Sequence, residues 1–193
     1  MSRWHDARVS ARLLVVVSGL PASGKTTVGR ALADHLSLPL LDKDQILEAL
    51  FDGLGCEDQQ QRHRLSRASD EVLLRLAAST EAAIVVNWWD HDTAPGRLLA
   101  IADEVVEVFC DCPVEVAVAR FAARRRHPGH LDHLRTPADH ERVAARLRES
   151  YRGPLMLGDT VVTIDTGGPV DLGAVVETVR AALPESIRLT ASS

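Results

Sequence analysis

The chain is short of several residue types, and each shortage excludes a class of protein. Its three cysteines, Cys56, Cys110 and Cys112, are too few for a disulfide framework, and their spacing is no zinc signature. Buried, reduced thiols are the expectation, and with them a cytosolic setting. Lysine occurs only at positions 25 and 43, so the positive charge is almost all arginine, as coding bias produces. No apolar run approaches the length that crosses a membrane. Arg3, Arg8 and Arg12 before the apolar stretch Leu13–Val17 mimic a secretion signal. Five residues are shorter than a signal core, however, and the stretch runs straight into Ser18-Gly19. Repeats, low-complexity tracts and linker-like segments are also lacking. The net charge of −5 argues against bulk electrostatic capture of nucleic acid. With 193 residues, 46% hydrophobic and 25% charged, the chain is expected to form a single domain over 1–193, with a polar tail from about 184.

Among the residues that are present, the most informative run is Gly19-Leu20-Pro21-Ala22-Ser23-Gly24-Lys25-Thr26. It fits the phosphate-loop pattern Gly-x-x-x-x-Gly-Lys-Ser/Thr. Leu13–Val17 before it reads as a buried strand, and residues 27–36 after it as a helix with Val28, Ala31, Leu32 and Leu36 on one face. Strand, glycine turn and helix are what the chemistry requires. Glycines let backbone N–H groups converge, and the helix N-terminus adds partial positive charge at the same point. Residues 19–26 and Thr27 are therefore the expected triphosphate cradle for ATP. Lys25 would reach the β- and γ-phosphates, and the Thr26 hydroxyl would hold Mg²⁺.

Further along, apolar runs alternate with helical patterns. Strands are expected near 38–42, 82–86, 105–109 and 160–164. Helices are expected from Ile46 to Phe51, over 59–79, 94–102, 113 to about 126, 137–151 and 171–183. This alternation implies right-handed crossovers and an α/β fold with a five-stranded parallel sheet covered on both faces. Ligands of such sheets lie beyond the strand C-terminal ends, where the conspicuous polar groups also fall.

Asp42 and Asp44 follow the second strand. A kinase for a small alcohol needs one carboxylate near the metal and another within reach of the attacking hydroxyl, and this pair can divide those tasks. The same residues could instead cap a helix. Arg120 and Arg124 are four apart and are expected on one helix face, whereas Arg125 and Arg126 point elsewhere, as a solvated surface would. His127, His130 and His133 are spaced by threes, but Pro128-Gly129 interrupts the helix that would align them for a metal. After the third strand, Asn87, Trp88, Trp89 and Asp90 are candidates for substrate contact, and Asn87 stands where many phosphate-loop proteins carry a metal-holding Asp. Asp165 and Thr166 end the last strand and either touch the nucleotide or cap the final helix.

The loop at 19–26, the Asp-x-Asp pair and the arginine-rich helix together resemble the P-loop small-molecule kinases. That group includes shikimate and gluconate kinases, chloramphenicol phosphotransferase, polynucleotide kinase and the zeta-toxin kinases. The resemblance covers about 13–166 and is most specific at Leu41–Asp52. It implies a P-loop fold with a helical lid over about 120–137 and phosphoryl transfer from ATP to a hydroxyl. By the same resemblance Asp44 orients or deprotonates the acceptor, and Asp42 lies near the metal. Lid arginines Arg120 and Arg124 sit over the triphosphate, and the turn at 165–166 lies beside adenine. Two alternatives remain at this point. A polynucleotide 5′-end kinase carries an Arg where this chain has Leu47, and a non-catalytic ATP-binding module would need neither Asp44 nor the lid arginines.

Overall fold

The computed structural model describes residues 11–185. The charged N-terminal residues before 11 and most of the expected tail after 184 lie outside them. Five strands, β1 (Ala11–Gly19), β2 (Leu40–Asp42), β3 (Ala82–Val86), β4 (Ala102–Asp111) and β5 (Val161–Asp165), form one parallel sheet in the order β2-β3-β1-β4-β5. Helices α1 (Lys25–Leu36), α2 (Lys43–Leu54), α3 (Gln59–Ala78), α4 (Ala94–Leu99), α5 (Val114–Ala123), α6 (Pro137–Ser150) and α7 (Leu172–Ala182) connect or follow them. Two 3₁₀ turns, Pro128–His130 and Asp132–Leu134, lie between α5 and α6.

The β1 run is continuously apolar because it is buried on both faces. Leu13, Val15 and Val17 face one core shared with Val28 and Leu32 of α1 and with Val175, Val176 and Val179 of α7. Leu14 and Val16 face a second core with Leu73 and Ala77 of α3 and Leu98 of α4. This period of two, on a strand flanked by partners on each edge, fixes its register. Among the described residues no helix is long and apolar enough to cross a membrane.

Several boundaries differ from the sequence expectation for local reasons. β2 begins at Leu40, not 38, because Pro39 has no N–H to give the ladder; its carbonyl accepts from Ile84 N instead. α4 ends at Leu99, and β4 starts at Ala102, earlier than expected. α5 ends at Ala123, not near 126. Arg124 is already extended at φ −71°, ψ 143°, and His127 before Pro128 is extended as well, since a residue preceding proline is kept out of the α region.

One buried charge holds the β1–β4 edge of the site in place. Glu107 on β4 is fully buried. Its Oε1 accepts from Ser18 Oγ at 2.5 Å and Leu155 N at 2.7 Å, and its Oε2 accepts from Met156 N at 2.9 Å. The carboxylate thereby ties the 153–157 segment to the residue preceding Gly19. Glu107→Ala leaves three donors, two of them buried, without an acceptor, and its expected cost is about 3 kcal/mol. Urea unfolding tests this: a midpoint unchanged from wild type would show that the three donors find other partners.

Candidate active site

Above the C-terminal ends of β1, β2 and β3 opens a cavity of about 1140 Å³. Its walls are the loop after β1, the β2–α2 junction, one face of α3, the end of α5, the two 3₁₀ turns and α6.

The loop is bent by its glycines. Gly19 has φ +129°, and a Cβ there would lie 2.6 Å from the carbonyl oxygen of Cys110, so no other residue fits. Ser23 N donates to Leu20 O at 3.1 Å, closing the turn. Lys25 opens α1, is only 8% exposed, and donates from Nζ to Leu20 O at 2.6 Å. Burial pushes its ammonium down to about 8, an effect that Cys110 and Asp44 oppose electrostatically. α1 has no side-chain acceptor at its N-cap, Gly24, and Ser23 Oγ is buried without a hydrogen-bond partner. A helix N-terminus with uncapped N–H groups, an orphaned hydroxyl and a buried ammonium fit a polyphosphate.

Thr26 Oγ1 donates to Asp42 Oδ2 at 2.9 Å, while Asp42 Oδ1 accepts from Asp44 N at 2.9 Å. Asp42 thus caps α2, one of the two readings of this residue, and presents its other oxygen beside Thr26. Its carboxyl is raised above the usual range by burial, an environment in which a cation would be welcome. A hydroxyl and a carboxylate oxygen are the hard donors Mg²⁺ takes, so this pair fits the ion. Asp44, in the first turn of α2, lines the cavity half-buried, and its carboxylate makes no hydrogen bond among the described residues.

Other expected residues fall in different places. Arg120 lines the cavity, but its Nη1 and Nη2 donate to the carbonyls of Thr166 (2.7 Å) and Gly167 (3.1 Å). It therefore ties α5 to the β5–α7 turn. Thr166 is buried and bonded to Asp111 O, and Asp165 caps Gly167 N. Arg124 does not share a helix face with Arg120, because α5 has ended; it reaches the cavity from an extended residue. Its guanidinium is lowered to about 10 by burial first and by Arg126 next. Arg126, expected on the surface, is half-buried, lines the cavity, and forks onto Asp132 at 2.7 and 2.6 Å.

The third-strand cluster divides. Asn87 lines the cavity and donates from Nδ2 to Asp70 of α3 at 3.0 Å. Trp88 is 40% exposed there, with the Arg146 guanidinium 5.0 Å from its ring centroid. Trp89 is 6% exposed and gives its Nε1–H to Val17 O; it is a core residue. Asp90 caps the start of α4 through Thr93 N and Oγ1 and does not line the cavity. Trp89 and Asp90 are thus removed from the substrate candidates by packing and capping.

The lid is pinned to α2. A Cβ on Gly129 would come within 2.4 Å of the Phe51 ring. His130, 1% exposed, reaches Glu48 from Nε2 at 3.1 Å, and His127 Nε2 lies 2.9 Å from Asp52. These two rings are engaged with carboxylates of α2, and His133 is exposed.

Sequence reading overlooked α3 as a wall. Arg62, Ser66 and Asp70 recur every four residues and face the cavity, on the same side of the helix as buried Leu73 and Ala77 one to two turns further on. Lys43 was overlooked too. Its Nζ donates to Ser66 Oγ at 2.8 Å, and burial lowers its ammonium. Its rarity was the available signal, since both lysines of the chain line this cavity.

The parallel sheet, the glycine loop at its centre and the carboxylates on the neighbouring strand define a P-loop kinase. A family model for the AAA domain matches residues 14–154, most of the chain, and the chain belongs to that family. It is 29% identical over 153 residues to the shikimate kinase of Corynebacterium glutamicum, covering 73% of this chain and 89% of that one. With the cytidylate kinase of Sulfurisphaera tokodaii it shares 25% identity over 175 residues, covering 86% and 93%. The crystal structure of a kinase-like protein from Chloroflexus aurantiacus superposes with a TM-score of 0.75 at 34% identity, covering 91% of this chain and all of that one.

The buried Lys25 makes a pH prediction. Its pKa in the free protein is about 8, and a bound triphosphate raises it by favouring the ammonium. Mg·ATP affinity should therefore be flat below pH 8 and fall above it, with up to about one proton taken up on binding near pH 9. Calorimetry in two buffers of different ionisation enthalpy reads that proton. Zero uptake would mean that Lys25 stays charged in the free protein.

Proposed function

We propose that the chain transfers the γ-phosphoryl group of ATP to a hydroxyl of a small molecule. The observation that carries this reading is the division of labour at the end of β2. Asp42 is engaged with Thr26 and with the α2 backbone, while Asp44, two residues on, keeps a free carboxylate in the same cavity as Lys25. A module that only binds ATP has no use for the second acid.

In this mechanism the loop backbone, Ser23 and Lys25 hold the phosphates, and Arg124 stands over them. Arg120 fixes the 165–167 turn, which supplies backbone contacts to the base. When bound at Thr26 and Asp42, Mg²⁺ would neutralise charge on the β- and γ-phosphates. Asp44 orients the acceptor hydroxyl and takes its proton, while Asn87, Trp88 and Lys43 wall the acceptor side. Positioning and charge neutralisation provide most of the acceleration, because the transition state of phosphoryl transfer is loose. The reading is of a single-domain, cytosolic enzyme.

A second reading has a relative behind it. Cytidylate kinases, to which the chain is similar, are named for a nucleotide acceptor, and there the attacking oxygen belongs to a phosphate. Asp44 favours the alcohol, since an ionised phosphate oxygen has no proton to give up at neutral pH and gains nothing from a neighbouring carboxylate. A polynucleotide end is disfavoured by Leu47, a core residue 1% exposed where that family places arginine.

Asp44→Asn keeps the shape and removes the charge. Phosphoryl transfer to an alcohol acceptor should fall by about 10²-fold, the usual scale of general-base help, with Mg·ATP affinity little changed. Asp42→Asn should weaken the Mg²⁺ dependence as well as the rate. A screen of alcohols with wild-type protein supplies the acceptor, and transfer by Asp44→Asn at the wild-type rate would make the acid a bystander.

A further inference from the structure

Two large aromatic rings line the cavity, and the fold covers only one of them. Around Phe121 stand three guanidiniums: Arg124 lies 4.2 Å from the ring centroid, and Arg126 and Arg135 lie 5.3 Å from it. Trp88 is left open. It is 40% exposed, although Trp89 beside it is buried in the core. Arg146 of α6 stands 5.0 Å over the indole centroid, which occupies one face and leaves the other. Trp88 also borders a small hollow against Leu20 and Phe109, but that space measures about 10 Å³ and admits no more than a water. A ligand therefore meets the ring from the main cavity. The base of the ring is fixed, since Trp88 N donates to Asn87 Oδ1 at 2.7 Å and Asn87 Nδ2 donates to Asp70 of α3 at 3.0 Å.

Sheet register sets where this ring stands. Val86, the last residue of β3, pairs with Asp42 at the end of β2 and with Val17 of β1. Two residues beyond these three lie Trp88, Asp44 and Gly19, the last being the first residue of the glycine loop. The chain therefore carries Trp88 out of the sheet between the loop and Asp44, one strand spacing of about 5 Å from each strand end. An alcohol whose oxygen lies between Asp44 and the γ-phosphate has the rest of its atoms within reach of the indole.

Resting on the kinase reading above, we infer that Trp88 is a stacking platform for the acceptor, and that the acceptor is an alcohol bearing a planar aromatic or heteroaromatic ring. An indole offers a large apolar face, and a second flat ring laid on it covers that face while keeping its own edge free. A sugar can also lie on a tryptophan, so the surroundings decide between the two. Arg146 brings α6 against the indole, and with it come Val143, one turn earlier, and Leu147, both of which line the cavity. Hydroxyls around the rim of a sugar would meet these apolar side chains without partners, whereas the C–H edge of an aromatic ring asks for none. The polar groups nearest the indole are already engaged, Asn87 with Asp70 and with Trp88 N, and Arg142 of α6 with Asp139.

In the reaction so assigned, the acceptor hydroxyl oxygen bonds to the γ-phosphorus as the bond from that phosphorus to the bridging oxygen breaks. The electron pair leaves on ADP, and the hydroxyl proton passes to Asp44 and then to water. The aromatic ring takes no part in the chemistry and serves only to hold the hydroxyl in place. The products are ADP and the phosphate monoester of the alcohol.

The test uses the full chain, Mg·ATP and matched sets of acceptor alcohols: an aryl or heteroaryl alcohol (nucleosides among them), its ring-saturated counterpart and a monosaccharide. In wild-type protein the aromatic member of at least one set should exceed both companions in kcat/KM by about fivefold to a hundredfold, the scale of stacking one flat ring on an aromatic side chain. Trp88→Leu keeps apolar bulk but removes the platform. It should raise KM for the aromatic alcohol about tenfold and bring the aromatic-to-saturated ratio close to one, while Trp88→Phe keeps most of the preference. The comparison within wild-type protein stands by itself should Trp88→Leu fail to fold. A saturated or monosaccharide member that serves as well as the aromatic one overturns the inference and leaves the kinase standing, as does a ratio that Trp88→Leu leaves unchanged. A Trp88→Leu effect that falls on KM for ATP also overturns it, because the indole would then serve the base of the nucleotide. No transfer to any alcohol by protein that binds ATP overturns the kinase reading, and this inference falls with it.

Discussion

The hydrogen bond between Thr26 and Asp42 joins the two halves of the site, and the remainder is arranged around it. In the sheet, β3 lies between β1 and β2, so the glycine loop and the acidic strand end are not neighbours. Contact is made because α1 starts directly at the loop and carries Thr26 across to Asp42, 2.9 Å away. Asp42 then hands its other oxygen to the first turn of α2. The helix that opens at the glycine loop and the helix that bears Asp44 are thereby referenced to one carboxylate. A displacement of either strand end would separate the glycine loop from Asp44.

Electrostatics in the cavity follow from how the charges are buried. Lys25 is held without a carboxylate in hydrogen-bond contact and therefore loses proton affinity, with Asp44 and Asp42 only partly compensating. Arg124 is lowered for the same reason. Groups arranged in this way are destabilised while the cavity holds water and are favoured once an anion enters. This is the preorganisation expected of a site meant to stabilise developing negative charge. By contrast, Glu107 is buried against three donors and is satisfied within the fold. The difference separates charges that build the scaffold from those left facing a ligand.

Much of this was legible from the residues alone. The loop motif fixed β1, α1 and the triphosphate side, because its glycines and lysine answer to backbone geometry and phosphate chemistry that hardly vary. The α/β alternation was equally plain, and the five apolar runs became five parallel strands. What stayed hidden depended on where helices stop and which face they turn inward. Arg120 and Arg124 were paired on the assumption that α5 continues, whereas it ends at Ala123 and Arg124 is already extended. Trp88 and Trp89 are adjacent in sequence but point to opposite sides of the chain, one into the cavity and one into the core. The polar row of α3 was passed over because it continues the face that buries Leu73 and Ala77 with residues whose polarity reads as solvent-exposed.

The docking of Gly129 on Phe51 has a mechanical consequence. α2 presents Asp44 at its first turn and Glu48, Phe51 and Asp52 along the rest of its length. The lid grips those last three through His130, Gly129 and His127. A twelve-residue helix is about 18 Å long and stiff over that distance. It therefore ties its two ends together: the 127–130 segment docks along one part, and Asp44 stands at the other end. A displacement of the 127–130 segment that kept its seat on Phe51 would carry Asp44 with it, so the two sides of the cavity are set by one rigid element.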